Sequence, residues 1–235
     1  MGWQIKMGAY KSIIEILEEG KELKRGYDDQ GRPIAFTDKQ FFDVSSLMGW
    51  NQDNPDYCHL HRNLAHWIQN TLFPKSALEY GCGPGYLLNC LNELKINAVG
   101  VDGNPFSQDF FEKKHPLFRE KYILDKFFDS DYSPTDVLIT IECFEHIPDA
   151  GLEKIMHKVV NVIRPKFIVF SSTPYEDSNK GWDTQWGHIN IKQPNEWRSF
   201  FEKYGFELTN LTPPITSWAS LYKLKVDRKK VFVYL

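Results

Sequence analysis

The chain has no apolar run long enough to cross a bilayer and no charged-then-apolar leader pattern at Met1-Gly-Trp-Gln-Ile-Lys-Met. No membrane partner and a cytoplasmic location are the expectations. Cysteine is scarce: 4 in 235 residues. Cys58, Cys82, Cys90 and Cys143 lack the paired spacing of a zinc site, so reduced thiols are the simplest reading. An excess of one charge is also missing, since 28 Lys and Arg against 31 Asp and Glu leave a net charge of −3. That balance argues against a basic groove and hence against a nucleic-acid partner. The basic run Lys223 to Lys230 is short and reads as a solvated hairpin. Internal repeats and low-complexity segments are absent too, which excludes solenoids and linkers. What remains, 42% hydrophobic and 25% charged residues, is enough for one large α/β domain or two small ones.

From residue 76 onward, short apolar runs alternate with amphipathic stretches, the pattern of a parallel sheet covered by helices on both faces. Strands are expected at 76–81, 97–102, 121–124, 136–142 and 167–173, with helices near 86–95, 106–114, 149–163 and 194–204. Phe206 to Leu211 and Lys230 to Leu235 read as an antiparallel pair at the sheet edge. Residues 1–75 stand outside this alternation. Amphipathic helices are expected at 9–24 and 56–72, with a connector between Gly26 and Asn54. The division is therefore a helical cap over 1–75, not independently folded, and a core domain over 76–235.

The densest signal is Ala77-Leu-Glu-Tyr-Gly-Cys-Gly-Pro-Gly-Tyr-Leu-Leu88 followed by Ala98-Val-Gly-Val-Asp102. It reads as a buried strand, a glycine turn opening a helix, and a second strand closed by a carboxylate. Glycines let backbone N–H groups approach a ligand, and an acid one strand over can accept from a ribose diol. A dinucleotide site needs Gly-x-Gly-x-x-Gly; here Gly81, Gly83 and Gly85 are followed by Tyr86. The acid two residues earlier, Glu79, suits an ammonium better than a phosphate.

Glu79-Tyr-Gly-Cys-Gly-Pro-Gly85 resembles the first motif of the class I S-adenosylmethionine-dependent methyltransferases, and the strand order extends the resemblance over about two-thirds of the chain. The resemblance implies a Rossmann-like, seven-stranded, mostly parallel sheet flanked by helices on both faces, and S-adenosyl-L-methionine as cofactor with S-adenosyl-L-homocysteine as product. It places Glu79, Gly81, Gly83 and Gly85 around the donor. Asp102 and Gly103 fall on the ribose, Asp125 and the Lys126 N–H on adenine, and Ile141 and Glu142 along the methyl group. Arg62 is the candidate for the methionine carboxylate. Phe127 or Phe128 could pack on the adenine. The chain has no Asn-Pro-Pro-Tyr-like tetrapeptide after the fourth strand, where amino-methylating DNA and protein enzymes carry one, which turns the expectation from amino toward hydroxyl acceptors.

Ile139-Thr-Ile-Glu-Cys-Phe-Glu-His-Ile-Pro-Asp149 and the later Gln185-Trp-Gly-His-Ile-Asn190 carry the remaining chemistry. His188, His146 and Glu145 are the catalytic candidates, because an imidazole can remove a hydroxyl proton near neutral pH. Trp182, Trp186 and Tyr175 offer flat faces to an acceptor. Glu142, Glu145, His146 and His188 are also similar to the divalent-metal set of the small-RNA 2′-O-methyltransferases, while the same Glu-His-Ile-Pro sequence occurs in metal-free relatives. The expectation set here is a small-molecule or sugar-like acceptor and no resident metal. A metal-dependent RNA 2′-O-methyltransferase and a non-catalytic cofactor-binding module stand as the alternatives. Oligomeric state is left open.

Overall fold

The computed structural model describes residues 28, 30, 32, 34–176 and 182–225. The expected helix at 9–24 and the strand at Lys230 to Leu235 lie outside those residues. Among the described ones, no helix is long and apolar enough to cross a membrane.

Seven strands form one sheet in the order β3-β2-β1-β4-β5-β7-β6. They are β1 (Ser76–Tyr80), β2 (Asn97–Asp102), β3 (Tyr122–Leu124), β4 (Val137–Ile141), β5 (Phe167–Ser171), β6 (Phe206–Leu208) and β7 (Ser220–Leu224). The first five run parallel, and β7 enters antiparallel between β5 and β6. The edge pair therefore exists, but Ser220–Leu224 supplies the second member in place of the late run at 230–235. In Ser-Leu-Tyr-Lys-Leu, Leu221 and Tyr222 are both buried, as befits a strand inside the sheet rather than on its rim.

The helices are α1 (Asp38–Leu47), α2 (Pro55–Leu72), α3 (Tyr86–Glu93), α4 (Pro105–Lys114), α5 (Asp149–Lys158), α6 (Trp182–Trp186) and α7 (Pro194–Lys203). α5 runs on as a π-helical turn through Ile163 and stops at Arg164, φ 50°. α3 is buried on every side from Tyr86 to Asn92, because it lies between the sheet and α2. Inside that layer Asn92 donates to the carbonyls of Leu88 (2.9 Å) and Ala98 (3.1 Å), which satisfies its amide and locks α3 to β2. One face of the sheet packs through Leu64, Ile68, Leu87, Leu91 and Val169, the other through Leu138, Phe144, Ile155, Trp197 and Phe201.

The connector expected between Gly26 and Asn54 contains the helix α1. Thr37 and Gln40 form a capping box in which the Gln40 N–H donates to Thr37 Oγ1 (3.3 Å) and the Thr37 N–H to Gln40 Oε1 (2.9 Å). That Thr-x-x-Gln spacing is a helix-start signal in the sequence itself.

The sheet order reverses between β1 and β4, and the carboxyl ends of β1, β2 and β4 open on one side of the molecule. A crevice at such a switch point is where open α/β sheets bind ligands.

Candidate functional site

The glycine corner sits at that crevice. Gly81 and Cys82 both donate their N–H to the Val101 carbonyl (2.8 and 3.1 Å), so the turn is sewn to β2 as soon as β1 ends. The Asp102 carboxylate closes the loop by accepting from the Gly83 N–H (2.9 Å) and the Asn104 N–H (2.8 Å). Burial pushes its pKa up, against the hydrogen bonds from Asn104 and Gly83, which pull it down. Gly83 has φ +50°, and a Cβ built on it would meet no atom within 4 Å. The space in front of that backbone is open, as a ligand approaching an N–H-lined turn requires.

Glu79 points into the same corner. It is buried, and its Oε2 has no hydrogen-bond partner among the described residues. Burial first and the charge of Asp102 second hold its carboxyl well above the usual range. A buried carboxylate oxygen without a donor is costly unless a cation arrives. The methionine ammonium of S-adenosylmethionine is such a cation, and a ribose diol fits Asp102, so the residues present fit this cofactor.

Other expected cofactor contacts sit differently. Asp125 is largely committed to its own loop: Oδ2 accepts from the Ser130 N–H (2.6 Å) and the Tyr132 hydroxyl (2.9 Å), and Oδ1 from the Phe127 N–H (3.1 Å). Burial would raise its pKa, but the Ser130 hydrogen bonds and their neighbours bring it far below the usual value. Only one lone pair on Oδ1 is left for adenine. Lys126 reaches back to Asp38 at the start of α1 (3.1 Å), and its Cα would lie 2.9 Å from a Cβ on Gly103. The ends of β2 and β3 are thus in contact. Arg62 is exposed and donates to the Tyr86 hydroxyl (2.8 Å), so it guards the mouth of α3. Phe128 is buried against Tyr80 (4.3 Å between rings) and belongs to the core, while Phe127 is exposed.

The second half of the site follows β4. Glu142 takes the left-handed conformation, φ 47°, which a non-glycine residue adopts at a cost of about 1–3 kcal/mol and holds only where its surroundings insist. Its N–H donates to the Ser171 carbonyl (2.8 Å), and its Oε1 accepts from the Ser171 hydroxyl and from Trp218 Nε1 (3.0 Å). Glu145 is buried with an unpartnered Oε2, and burial together with the neighbouring Glu142 charge pushes its carboxyl well up. His146 is pushed the other way, down to about 4, by burial and then by His188. It is a neutral imidazole at pH 7.

The loop after α6 brings the distant histidine in. The N–H groups of Ile189 and Asn190 both donate to the Glu145 carbonyl (2.9 and 3.0 Å), and the Asn190 amide donates to the Ile147 carbonyl (2.8 Å). His188 then stands 4.9 Å from His146, ring to ring. One ligand atom each from Glu145, His146 and His188 falls within 4.8 Å of the others. Asp183 Oδ1 lies 3.0 Å from His188 Nδ1, a pairing that does not involve Nε2. This carboxylate–imidazole pairing is the usual way a metal-ligating histidine is fixed in tautomer and orientation. A donor set of one carboxylate and two imidazoles suits Mg²⁺, Mn²⁺ or Zn²⁺. Asp183→Asn is expected to weaken divalent-ion affinity about 10- to 100-fold with the fold intact, measured by titration of the metal against melting temperature.

The two halves adjoin. A Cβ on Gly81 would lie 2.5 Å from Cys143 Sγ, so the glycine corner rests on the residue between Glu142 and Glu145. α1 spans both halves. The Asn104 amide donates to the Asp38 carbonyl (2.7 Å) at its start, and the Phe41 ring meets His146 edge-on at 5.8 Å. Gln52 donates to the Pro84 carbonyl (3.0 Å). Sequence reasoning missed Asp183, Ser171, Trp218 and Gln52, because each acts through a neighbour distant in sequence and carries no motif of its own.

The comparisons follow from this geometry. The chain matches the family described as "Methyltransferase domain" over residues 52–211. By sequence, no curated protein matches it. Solved structures that share the fold include the methyltransferase domain of bacterial CtHen1 (18% identity, 71% of this chain, 100% of that one, TM-score 0.52). The small RNA methyltransferase HEN1 matches at 16% identity and TM-score 0.55, over 75% of this chain and 26% of that chain. A putative O-methyltransferase from Nostoc punctiforme matches at 15% identity and TM-score 0.56, over 78% of this chain and 59% of its own. The mitomycin 7-O-methyltransferase matches at 10% identity and TM-score 0.57, over 90% and 67%. The argument from net charge against a nucleic-acid partner is corrected by the RNA methyltransferases among these. A charge of −3 summed over the whole chain does not report the field at one crevice, and an RNA end gripped at a small site needs no basic groove. With a donor corner built for S-adenosylmethionine and a family match across most of the sheet, the chain belongs to the class I S-adenosylmethionine-dependent methyltransferases.

Proposed function

We propose that this methyltransferase acts on a hydroxyl with the help of a divalent ion, and that the hydroxyl is the 2′-OH at the end of an RNA. One observation carries the reading: Glu145, His146 and His188 converge within 4.8 Å, with Glu142 beside Glu145. These are the four residues whose spacing is similar to the small-RNA 2′-O-methyltransferases. The likeness of fold to HEN1 supports it. A divalent ion in that cluster would supply a lowered pKa for the acceptor hydroxyl.

The chain's own residues do the rest. Ser171 and Trp218 hold Glu142 in place, and Asp183 aims His188. Phe41 meets His146 edge-on and Trp186 backs Phe41, which sets apolar rings beside the imidazole. The Gly81–Cys143 contact brings the donor corner against the acceptor cluster. Alignment of this kind can contribute about 7–11 kcal/mol of barrier reduction. Residues 34–75 serve in this reading as a cap, since Asp38 and Gln52 both tie onto donor-side loops.

A small hydroxylated acceptor is the second reading, favoured by the mitomycin 7-O-methyltransferase match over 90% of the chain. One assay separates them. Transfer of labelled methyl is measured into an RNA oligonucleotide with a 2′-OH or a 2′-deoxy terminus, with chelator and after Mg²⁺ or Mn²⁺ is restored. Label is expected only in the 2′-OH RNA, lost with chelator and regained with metal. Transfer that survives exhaustive chelation overturns the metal role. Transfer into free sugars or phenols but not RNA replaces the acceptor.

A further inference from the structure

We propose that Trp50 and Tyr175 are stacking sites for two nucleobases of the acceptor, an assignment that rests on the RNA reading above. Two series of rings start on the acceptor cluster, and each ends at the surface. On the imidazole side His146 meets Phe41 (5.8 Å), Phe41 meets Trp186 (5.0 Å), and Trp186 meets Trp50 (5.2 Å, 38° between planes). On the carboxylate side Trp218 donates its indole N–H to Glu142 (3.0 Å), and Tyr175 stands edge-on to Trp218 at 5.8 Å. The inner member Trp186 is only 7% exposed, whereas Trp50 is 44% and Tyr175 67% exposed. Two exposed flat rings are therefore linked to the cluster through ring contacts, and each packs against another aromatic.

Support of that kind matters. A ring held by a second ring presents its free surface without loss of rotamer freedom on binding. The Trp50 backbone N–H donates to the Ser45 carbonyl (2.9 Å) near the end of α1, which ties its main chain to that helix. Other exposed aromatics sit elsewhere: Phe73 follows α2, and Phe127 follows β3 on the adenine side.

Base-on-aromatic stacking is a grip that tolerates any sequence, because every base has a π face.

The test uses the full chain, labelled methyl donor and RNA oligonucleotides ending in a 2′-OH. Tyr175→Ala and Trp50→Ala are each expected to raise the KM for RNA about 5- to 150-fold, the range that loss of one stacked base produces. kcat should change less, and Tyr175→Phe and Trp50→Phe should restore KM. RNA with an abasic residue at the terminal or penultimate position should show the same rise with the wild-type chain. On the matching abasic RNA each alanine substitution should add less than about 2-fold, the mark of a shared interaction. Tyr175 is exposed, so its variant separates stacking from any folding defect caused by Trp50→Ala. If the wild-type chain methylates RNA and neither alanine variant moves KM, or if variant and abasic losses multiply, the stacking assignment is overturned alone. If the wild-type chain transfers no methyl to RNA, the proposed function fails and takes this inference with it.

Discussion

His188→Ala is expected to lower turnover by about 10²–10⁴-fold while S-adenosylmethionine affinity stays unchanged. The separation follows from where the residue stands. Its hydrogen-bond and ring partners are Asp183 and His146, all on the acceptor side. The donor corner is held by Asp102, Gly83 and Asn104, none of which touches His188. As a metal ligand or as the base itself, His188 acts on the acceptor oxygen, so its loss removes stabilisation that appears during methyl transfer rather than on cofactor binding. Added metal distinguishes the two roles: a lost ligand is partly rescued by excess divalent ion, a lost base is not. Steady-state rates with equilibrium dialysis of the labelled donor provide both readouts. Full turnover in a variant that binds donor normally would remove His188 from the reaction.

Much of this arrangement was readable from residue order. The strands from Ser76 to Ser171 and the helices between them carry the alternating pattern that only a doubly covered parallel sheet produces, and the structure has them within a residue or two. Glu79, Gly81, Gly83 and Asp102 announce themselves because close backbone approach restricts residue type. Of the four residues read together, Glu145, His146 and His188 converge while Glu142 Oε1 is held by Ser171 and Trp218, and how they assemble was not legible. What assembles them is the main chain of Ile189 and Asn190 on the Glu145 carbonyl, and backbone pairings outside regular structure leave no mark on side-chain identity. Asp183 was invisible for a related reason: an acid in a polar loop is usually solvated, and only its 3.0 Å approach to His188 gives it a role. α1 was missed because its apolar residues are spread thinly, although the Thr37–Gln40 box was there to be read. Lys230 to Leu235 has strand-like composition and lies outside the described residues; among those described, Ser220–Leu224 supplies the two buried side chains that an inner strand needs.

The glycine corner yields the second large effect, through a contrast between two neighbours. At Gly81 a methyl group would collide with Cys143 Sγ at 2.5 Å and Cβ at 2.6 Å, and φ is +72°. The left-handed backbone costs an L-residue about 1–2 kcal/mol. Overpacking against a buried cysteine adds about 1–3 kcal/mol. Gly81→Ala should therefore lose roughly 2–5 kcal/mol, a large share of a typical total of about 5–15 kcal/mol. At Gly83 the conformation is also left-handed, φ +50°, but a methyl group would meet nothing within 4 Å. Gly83→Ala should cost only the backbone part, about 1–2 kcal/mol, and should weaken S-adenosylmethionine binding far more than it weakens the fold. Urea melts of both variants, paired with donor titrations, test this directly. The order of the two effects is what matters: Gly81 is closed off by the protein itself, and Gly83 faces the space reserved for the donor. If Gly83→Ala bound donor as the parent chain does, the open side of the turn would have to serve something other than S-adenosylmethionine.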